Sequence, residues 1–182
     1  MWTYGDSRAA IRDALRLSRA MTFKSAVAGL PLGGGKGVIM LPAGHAPPAG
    51  DDRRDVLLDF GDTVGSLDGA YITAEDIGTT TADMDHVARF TRYCVGRSVE
   101  NGGAGDPSPV TAQTVFEAIR RGLLAHDGSD ALDGRRIGVI GLGKVGGELA
   151  ARLVAAGAHV IACDLDLARS ERFARRAMQW WR

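Results

Sequence analysis

The N-terminal part of the chain alternates between apolar residues at helical spacing and short apolar runs. Repeats of three to four residues predict helices over residues 7–27, 51–67 and 81–91. Short apolar runs predict strands over residues 37–41 and 71–73. The expected buried stripe of the first helix consists of Ile11, Ala14, Leu15, Ser18 and Met21. We therefore expect an α/β fold in which helices alternate with short strands.

The C-terminal part has a more regular pattern. It predicts a long helix over residues 108–126, a buried strand over 136–140, an apolar helix over 146–156 and a second strand over 159–163. The loop before the long helix, from Asn101 to Pro109, is rich in glycine and favours a hinge. We expect two domains, residues 1–107 and 108–182.

Composition narrows the classes of protein that remain. Hydrophobic residues make up 45% of the 182 residues, and 22 basic residues balance 22 acidic ones, so neither nucleic acid nor an anionic membrane is an expected partner. No apolar run reaches the length of a membrane span. Cys94 and Cys163 are too few for a disulfide framework, and the N-terminus does not resemble a signal peptide. We expect a cytoplasmic protein with a small-molecule substrate and no metal site.

A lysine after three glycines is the first candidate for chemistry. Gly33, Gly34 and Gly35 precede Lys36, and an apolar run follows it. Glycines permit positive φ and close approach of the backbone to a ligand, and burial beside the apolar run would lower the pKa of the lysine. A plain glycine-rich turn with a solvated lysine is the alternative.

A glycine motif between the two C-terminal strands predicts a dinucleotide site. Gly141, Gly143 and Gly146 follow the first strand immediately, and Asp164 ends the second strand 23 residues after Gly141. In this context the glycines admit a pyrophosphate to a helix N-terminus, and the acid binds the adenosine ribose. Because Asp164 repels a 2′-phosphate and the next two residues are not basic, NAD is favoured over NADP. Lys144 either adds a cation near the pyrophosphate or is solvated.

Five segments, in this order, resemble one known family. They are Met21-Thr22-Phe23-Lys24, Gly33-Gly34-Gly35-Lys36, Ala74-Glu75-Asp76-Ile77-Gly78, Gly102 to Ala112 and Gly141 to Gly146. Their spacing resembles the Glu/Leu/Phe/Val amino-acid dehydrogenases from Trp2 to about Asp166. The resemblance implies a substrate-domain core followed by the start of a Rossmann dinucleotide-binding domain, in a family of homo-oligomers.

The resemblance also implies roles for individual residues. Lys24 would bind the substrate carboxylate, Lys36 would act through an activated water as acid and base, and Asp76 would relay protons to the substrate nitrogen. Ala74 would line the side-chain pocket. The cofactor would contact Thr111, Gly141, Gly143, Lys144, Val145, Gly146 and Asp164. Plainer roles remain open: Lys24 as a helix C-terminal lysine, Asp76 as a helix cap and Thr111 as a first-turn hydroxyl.

The implied reaction is NAD-dependent oxidative deamination of a branched-chain L-amino acid to a 2-oxo acid and ammonia. Valine, leucine and isoleucine are all plausible substrates, because one methylene in an apolar pocket is worth only about 1–3 kcal/mol. Phenylalanine is the alternative substrate. A second alternative is an inactive remnant of such an enzyme.

Both ends of the chain depart from the family pattern. The chain starts at what resembles an internal Met-Trp segment, and after Asp166 it runs through several arginines to Trp180-Trp181-Arg182 instead of continuing the dinucleotide domain. We expect a fragment truncated at both ends. On its own it is expected to show no amino-acid-dependent reduction of NAD, because one βαβ unit does not enclose a whole dinucleotide.

Overall fold

A computed structural model describes residues 1–180, with side chains as far as Arg176. The final Trp181 and Arg182 of the predicted departure lie outside the described residues. The chain divides after Asp106 into two compact units. Each unit contains both helices and strands, so the α/β fold class is confirmed.

The first unit consists of two long helices, one short helix and minimal strands. Its elements are β1 (Trp2–Thr3), α1 (Ser7–Val27), β2 (Met40–Leu41), α2 (Gly50–Ser66), α3 (Thr81–Val87) and a 3₁₀ turn (Val99–Asn101). β1 and β2 pair in parallel, with Trp2 opposite Met40 and Thr3 opposite Leu41. Parallel pairing needs a crossover, which α1 provides.

Side-chain caps define where two of these helices begin. Asp6 accepts a hydrogen bond from the Ala9 N–H at 2.7 Å and starts α1. Thr80 and Asp83 form a reciprocal capping box at the start of α3. The bounds of α1 match the prediction, whereas α3 ends at Val87, earlier than the predicted residue 91.

Both predicted strands of this unit are shorter in the structure. Of residues 37–41, only Met40 and Leu41 pair with another strand. Residues 71–73 form a single bridge, in which Thr73 pairs with Cys94. Each run buries only its last residue, Leu41 or Thr73, whereas Met40 and Ile72 are exposed. A strand also requires a neighbouring backbone, which the run itself does not specify.

The buried face of α1 differs in part from the predicted stripe. Ile11 and Leu15 are 60% and 68% exposed, whereas the residues buried in this helix are Ala10 and Ser25. Ala14, Ser18 and Met21 of the predicted stripe are half-buried. The helical period was therefore right, and the stripe was wrong at Ile11 and Leu15.

A small core holds the first unit together. Its buried members are Leu57 of α2, Met84 and Val87 of α3, and Cys94. Ile39 and Phe60 pack against this cluster. Ile39 lies just before β2, so the core also holds the segment that follows Lys36.

The second unit is a βαβ unit with a helix on each side of it in sequence. Its elements are α4 (Ser108–Asp127), β3 (Arg136–Ile140), α5 (Lys144–Ala155), β4 (His159–Cys163) and α6 (Leu167–Trp180). β3 and β4 are parallel in register from Arg136 opposite His159 to Ile140 opposite Cys163. Both predicted strands are confirmed with their exact bounds.

One continuous core joins the elements of the second unit. The buried residues are Ala112, Leu132, Val139, Leu142, Leu149, Ala150, Leu153 and Ala158. Outward-facing Ile140 and Ile161 are 93% and 72% exposed, so the two strands are packed on one side only. Within the described part of the chain, no helix combines the length and the apolar character that crossing a membrane requires.

The two cysteines are in contrasting environments, and this predicts their reactivity. Burial raises the pKa of the Cys94 thiol to about 11, and Cys163 is exposed. Because the thiolate is the reactive form, we expect iodoacetamide to label Cys163 in the native protein and Cys94 only after denaturation. Peptide mapping by mass spectrometry measures both sites. Equal labelling of native Cys94 would contradict the packing of the first core.

Candidate functional site

The glycine run before Lys36 packs directly on α1. A Cβ atom at Gly34 would lie 1.9 Å from the Ser18 carbonyl oxygen and 2.4 Å from the Thr22 N. None of Gly33, Gly34 and Gly35 has a positive φ. The expectation of positive φ in this run was therefore wrong. The glycine at position 34 is required because the two backbones touch.

Tyr71 supports the same segment from a second direction. A Cβ at Gly35 would lie 2.7 Å from the Tyr71 ring, and the Gly37 N–H donates to the Tyr71 hydroxyl at 2.8 Å. The backbone on both sides of Lys36 is thus held by one aromatic side chain. Sequence analysis assigned Tyr71 no role beyond starting a strand, and a tyrosine in a short apolar run gave no signal of this contact.

The Lys36 ammonium forms an ion pair with Asp76. The Lys36 side chain is 22% exposed and that of Asp76 is 50% exposed. Burial lowers the pKa of Lys36, the positive charge of Lys24 lowers it further, and the carboxylate of Asp13 opposes the shift. The structure thus brings together Lys36 and Asp76 and places Lys24 near enough to act on Lys36 electrostatically. Asp13 belongs to this cluster, although sequence analysis did not single it out.

Asp76 begins a tight turn that is tied to two helices. Its carboxylate accepts a hydrogen bond from the Ile77 N–H at 2.7 Å, and its carbonyl accepts one from the Thr79 N–H at 2.9 Å. Arg53 of α2 donates to the Gly78 carbonyl at 2.9 Å and forms two hydrogen bonds with Asp83 of α3, at 2.8 and 2.6 Å. The turn that carries Asp76 is therefore anchored to α2 and α3 by one guanidinium.

Lys24 and Ala74 are both exposed. Lys24 lies in the last turn of α1, and Ala74 follows the bridge at Thr73. A cavity of about 490 Å³ opens between α2 and the segment after the glycine run, where Lys36, Val56, Phe60, Thr63, Val64 and Tyr71 contribute to its wall. Ala74 does not line this cavity, so its predicted pocket role stays a prediction.

The glycine turn of the second unit has the geometry that its motif predicts. Gly141 has φ +93, and a Cβ at Gly146 would lie 1.9 Å from the Gly141 carbonyl oxygen. Gly143 precedes the first residue of α5, and among the described residues no side chain caps this helix. The turn therefore brings the α5 backbone close to β3 and leaves the N-terminus of α5 open, which suits a pyrophosphate.

Asp164 holds the glycine turn as well as ending β4. Its carboxylate accepts hydrogen bonds from the Leu142 N–H at 2.6 Å and the Asp166 N–H at 2.8 Å. Its side chain is 11% exposed. These backbone hydrogen bonds, that from Asp166 first, together with the nearby Arg169 guanidinium, lower the pKa of Asp164.

The remaining predicted cofactor residues differ in what they offer a ligand. Lys144 is exposed at the first position of α5. The side chain of Val145 packs against the core, so only its backbone can face the turn. Thr111 is exposed on α4, and its hydroxyl donates to the Pro107 carbonyl at 2.9 Å.

The second unit combines a parallel βαβ arrangement with the glycine turn that is typical of a Rossmann dinucleotide site. Residues 4–93 match the family model described as Glu/Leu/Phe/Val dehydrogenase, dimerisation domain. Residues 113–181 match the model described as D-isomer specific 2-hydroxyacid dehydrogenase, NAD binding domain. The chain belongs to the Glu/Leu/Phe/Val dehydrogenase family, as the sequence motifs predicted. The NAD-binding match confirms the predicted cofactor class.

Curated relatives are similar to the chain over most of its length. It is 45% identical to a leucine dehydrogenase of Bacillus subtilis over 91% of this chain and 44% of that protein. It is 46% identical to a valine dehydrogenase of Streptomyces virginiae over 90% of this chain and 44% of that protein. The chain thus spans about half the length of the curated relatives that it matches.

Two solved structures share the fold. An L-tryptophan dehydrogenase from Nostoc punctiforme is 34% identical, with a TM-score of 0.62 over 94% of this chain and 46% of that one. A hetero-hexameric glutamate dehydrogenase from Thermus thermophilus has a TM-score of 0.71 over 96% of this chain and 45% of that one, at 22% identity. The second likeness concerns the fold alone.

The contact between Gly34 and α1 predicts a large difference between neighbouring glycines. Gly34→Ala should lower the free energy of unfolding by about 2–3 kcal/mol, because the new Cβ would overlap main-chain atoms of α1. Gly33→Ala is the matched control: nothing lies within 4 Å of its Cβ and its φ is not positive. We expect its effect to stay within about 1 kcal/mol. Denaturant unfolding measures both variants, and equal effects would contradict the packing of the run on α1.

Proposed function

We propose that this chain carries the substrate-binding and acid–base groups, and part of the cofactor site, of an NAD-dependent dehydrogenase that deaminates branched-chain L-amino acids. The observation that carries the proposal is the pair of lysines. Lys36 is half-buried and forms an ion pair with Asp76, and the positive charge of Lys24 lowers its pKa. Two ammonium groups and one carboxylate are what an amino-acid substrate requires, because its own carboxylate must be bound and its nitrogen must lose and gain protons.

The two lysines are suited to different tasks. Lys24 is exposed at the end of α1 and pairs with the substrate carboxylate. Lys36 is held by the glycine run and by Tyr71, and its lowered pKa lets it take a proton from a water molecule that adds to the substrate carbon. Rigid support matters because acid–base catalysis requires the proton-transfer distance to be met.

Asp76 exchanges protons with the substrate nitrogen. Its turn is braced by Arg53, and half of its side chain is accessible. In the free protein the Lys36 ammonium occupies the carboxylate. When a substrate binds, its amino group takes over part of the contact that Lys36 makes with Asp76. The Asp76 carboxylate then balances the positive charge of the substrate nitrogen.

The second unit binds the adenosine and pyrophosphate part of NAD. The open N-terminus of α5 receives the pyrophosphate, and Asp164 faces the ribose. NAD, when bound, supplies the hydride acceptor. The chain's part in this step is orientation, through Gly141, Gly143, Gly146 and the backbone of Val145.

The relatives support the choice of a branched aliphatic substrate. Leucine and valine dehydrogenases are both more than 40% identical to this chain. Phenylalanine remains the alternative, and the tryptophan dehydrogenase neighbour at 34% identity makes an aromatic test worthwhile. We further propose a cytoplasmic site of action, which two unbridged cysteines suit, and assembly into homo-oligomers, which the dimerisation-domain match suits.

The activity is testable by joining this chain to the segments of the Bacillus subtilis leucine dehydrogenase that it does not match. We expect valine, leucine and isoleucine to drive NAD reduction by this fusion more strongly than phenylalanine or tryptophan, measured by absorbance of the reduced cofactor. The 182-residue chain by itself is expected to give no turnover. Stronger turnover with either aromatic amino acid would replace the proposed substrate class.

The lysines should fail in different ways in the same fusion. Lys36→Ala should reduce kcat by about 10²–10⁴-fold, because it removes the acid–base group, while NAD binding stays nearly unchanged. Lys24→Ala should mainly raise KM through the lost carboxylate contact. Steady-state kinetics and cofactor titration separate these effects. Activity of Lys36→Ala within tenfold of the parent would remove Lys36 from the mechanism.

The charges around Lys36 predict opposite shifts in the pH profile. Asp13 raises the pKa of Lys36, so Asp13→Asn should lower that pKa and move the rising limb of kcat to lower pH. Lys24 lowers the pKa of Lys36, so Lys24→Met should move the limb to higher pH. The profile of kcat at saturating substrate measures both. Shifts of the same sign would show that the limb reports another group.

A further inference from the structure

Arg169 lies beside Asp164, the acid proposed to bind the ribose, and beside Asp166. It is the third residue of α6, five positions after Asp164. Its Nη1 lies 3.6 Å from Asp164 Oδ2, and its Nε lies 3.2 Å from Asp166 Oδ2. A Cβ placed on Gly143 would be 3.7 Å from the same Nη1. The guanidinium therefore spans from the acid to the glycine that precedes α5.

Arg169 is also more accessible than the carboxylate next to it. Its side chain is 45% exposed, whereas that of Asp164 is 11% exposed. Both oxygens of Asp164 already accept backbone hydrogen bonds, from Leu142 and Asp166. A nucleotide that approaches this turn thus meets the arginine as well as the acid. Arg169 lies beyond Leu165 and Asp166, the two residues after Asp164 whose lack of a basic group favoured NAD.

We propose that Arg169 sets cofactor specificity by weakening the rejection of a 2′-phosphorylated nucleotide. Without it, Asp164 and Asp166 would leave two uncompensated carboxylates after β4, and both would repel a 2′-phosphate. With it, one positive charge lies between them and offers a planar donor that fits a phosphate. An arginine near the end of the second strand is the feature that accommodates a 2′-phosphate in Rossmann sites. This inference rests on the proposed cofactor site and deepens it: NAD is used, and NADP is only weakly excluded.

The test uses nucleotides that differ in one phosphate, with the 182-residue chain as it is. The probes are 5′-AMP, 2′,5′-ADP and 3′,5′-ADP, and NMR titration of backbone amides yields each dissociation constant. We expect the chain to bind 2′,5′-ADP within about tenfold of 5′-AMP. Arg169→Gln should raise the ratio of the 2′,5′-ADP constant to the 5′-AMP constant by about tenfold, the worth of one charged hydrogen bond.

Two controls separate specificity from general charge and from misfolding. Arg172→Gln removes an exposed arginine from the same helix and should leave the ratio unchanged. Arg169→Lys keeps the charge and should recover part of the affinity for 2′,5′-ADP. The far-ultraviolet spectrum and the melting temperature of each variant report folding.

Each other outcome contradicts a different statement. Strong rejection of 2′,5′-ADP by the parent chain, or an unchanged ratio in Arg169→Gln, overturns the role of Arg169 and leaves the NAD site standing. Equal weakening of all three probes in Arg169→Gln places the arginine at the 5′-phosphate instead. Equal affinity for 2′,5′-ADP and 3′,5′-ADP reduces the effect to net charge. Failure of every nucleotide to bind overturns the proposed cofactor site and the inference with it.

Discussion

The close backbone contact between Gly34 and α1 is the constraint on which the candidate active site depends. Because no side chain separates the two segments, the segment that carries Lys36 lies against the helix that carries Lys24. Burial of the segment lowers the pKa of Lys36, and the positive charge of Lys24 lowers that pKa further. The carboxylate of Asp13 opposes this lowering, and Asp76 forms an ion pair with the Lys36 ammonium. The reactivity of the site thus follows from steric contact between two stretches of main chain.

The second unit also contains a glycine that permits close contact between two stretches of backbone. Gly146 lets α5 approach the Gly141 carbonyl, as Gly34 lets the lysine segment approach α1. In both units the absence of a Cβ positions a functional group. Gly34 positions the segment that carries the Lys36 ammonium, and Gly146 positions the amides at the N-terminus of α5. Arg53 has the corresponding role for the acid, since it joins the Asp76 turn to two helices through hydrogen bonds instead of close packing.

The parts predicted well from sequence were those with strong local signals. Strands β3 and β4 and helix α1 have the predicted bounds, because long periodic segments and the glycine motif identify their own ends. The strand over residues 71–73 reduced to one bridge, since pairing depends on a partner that the segment does not encode. The buried face of α1 was predicted only in part: hydrophobicity favoured Ile11 and Leu15, which are exposed, whereas Ala10 and Ser25 are buried. Tyr71, Asp13, Arg53 and Arg169 were overlooked for a similar reason: each acts through a partner distant in sequence or on a neighbouring turn, and no motif marks it.

The hydrogen bond from the Leu142 amide to Asp164 constrains how this cofactor site can change during evolution. In the proposed cofactor site, the carboxylate assigned to the ribose is also the one that holds the glycine turn assigned to the pyrophosphate. Replacing that acid would alter affinity for every dinucleotide at once, so a lineage under selection for another cofactor gains little by losing it. Changes on the first turn of α6 do not remove the hydrogen bond that holds the glycine turn. The accessible mutational path to a new cofactor therefore runs through the surface helix, while the acid is retained.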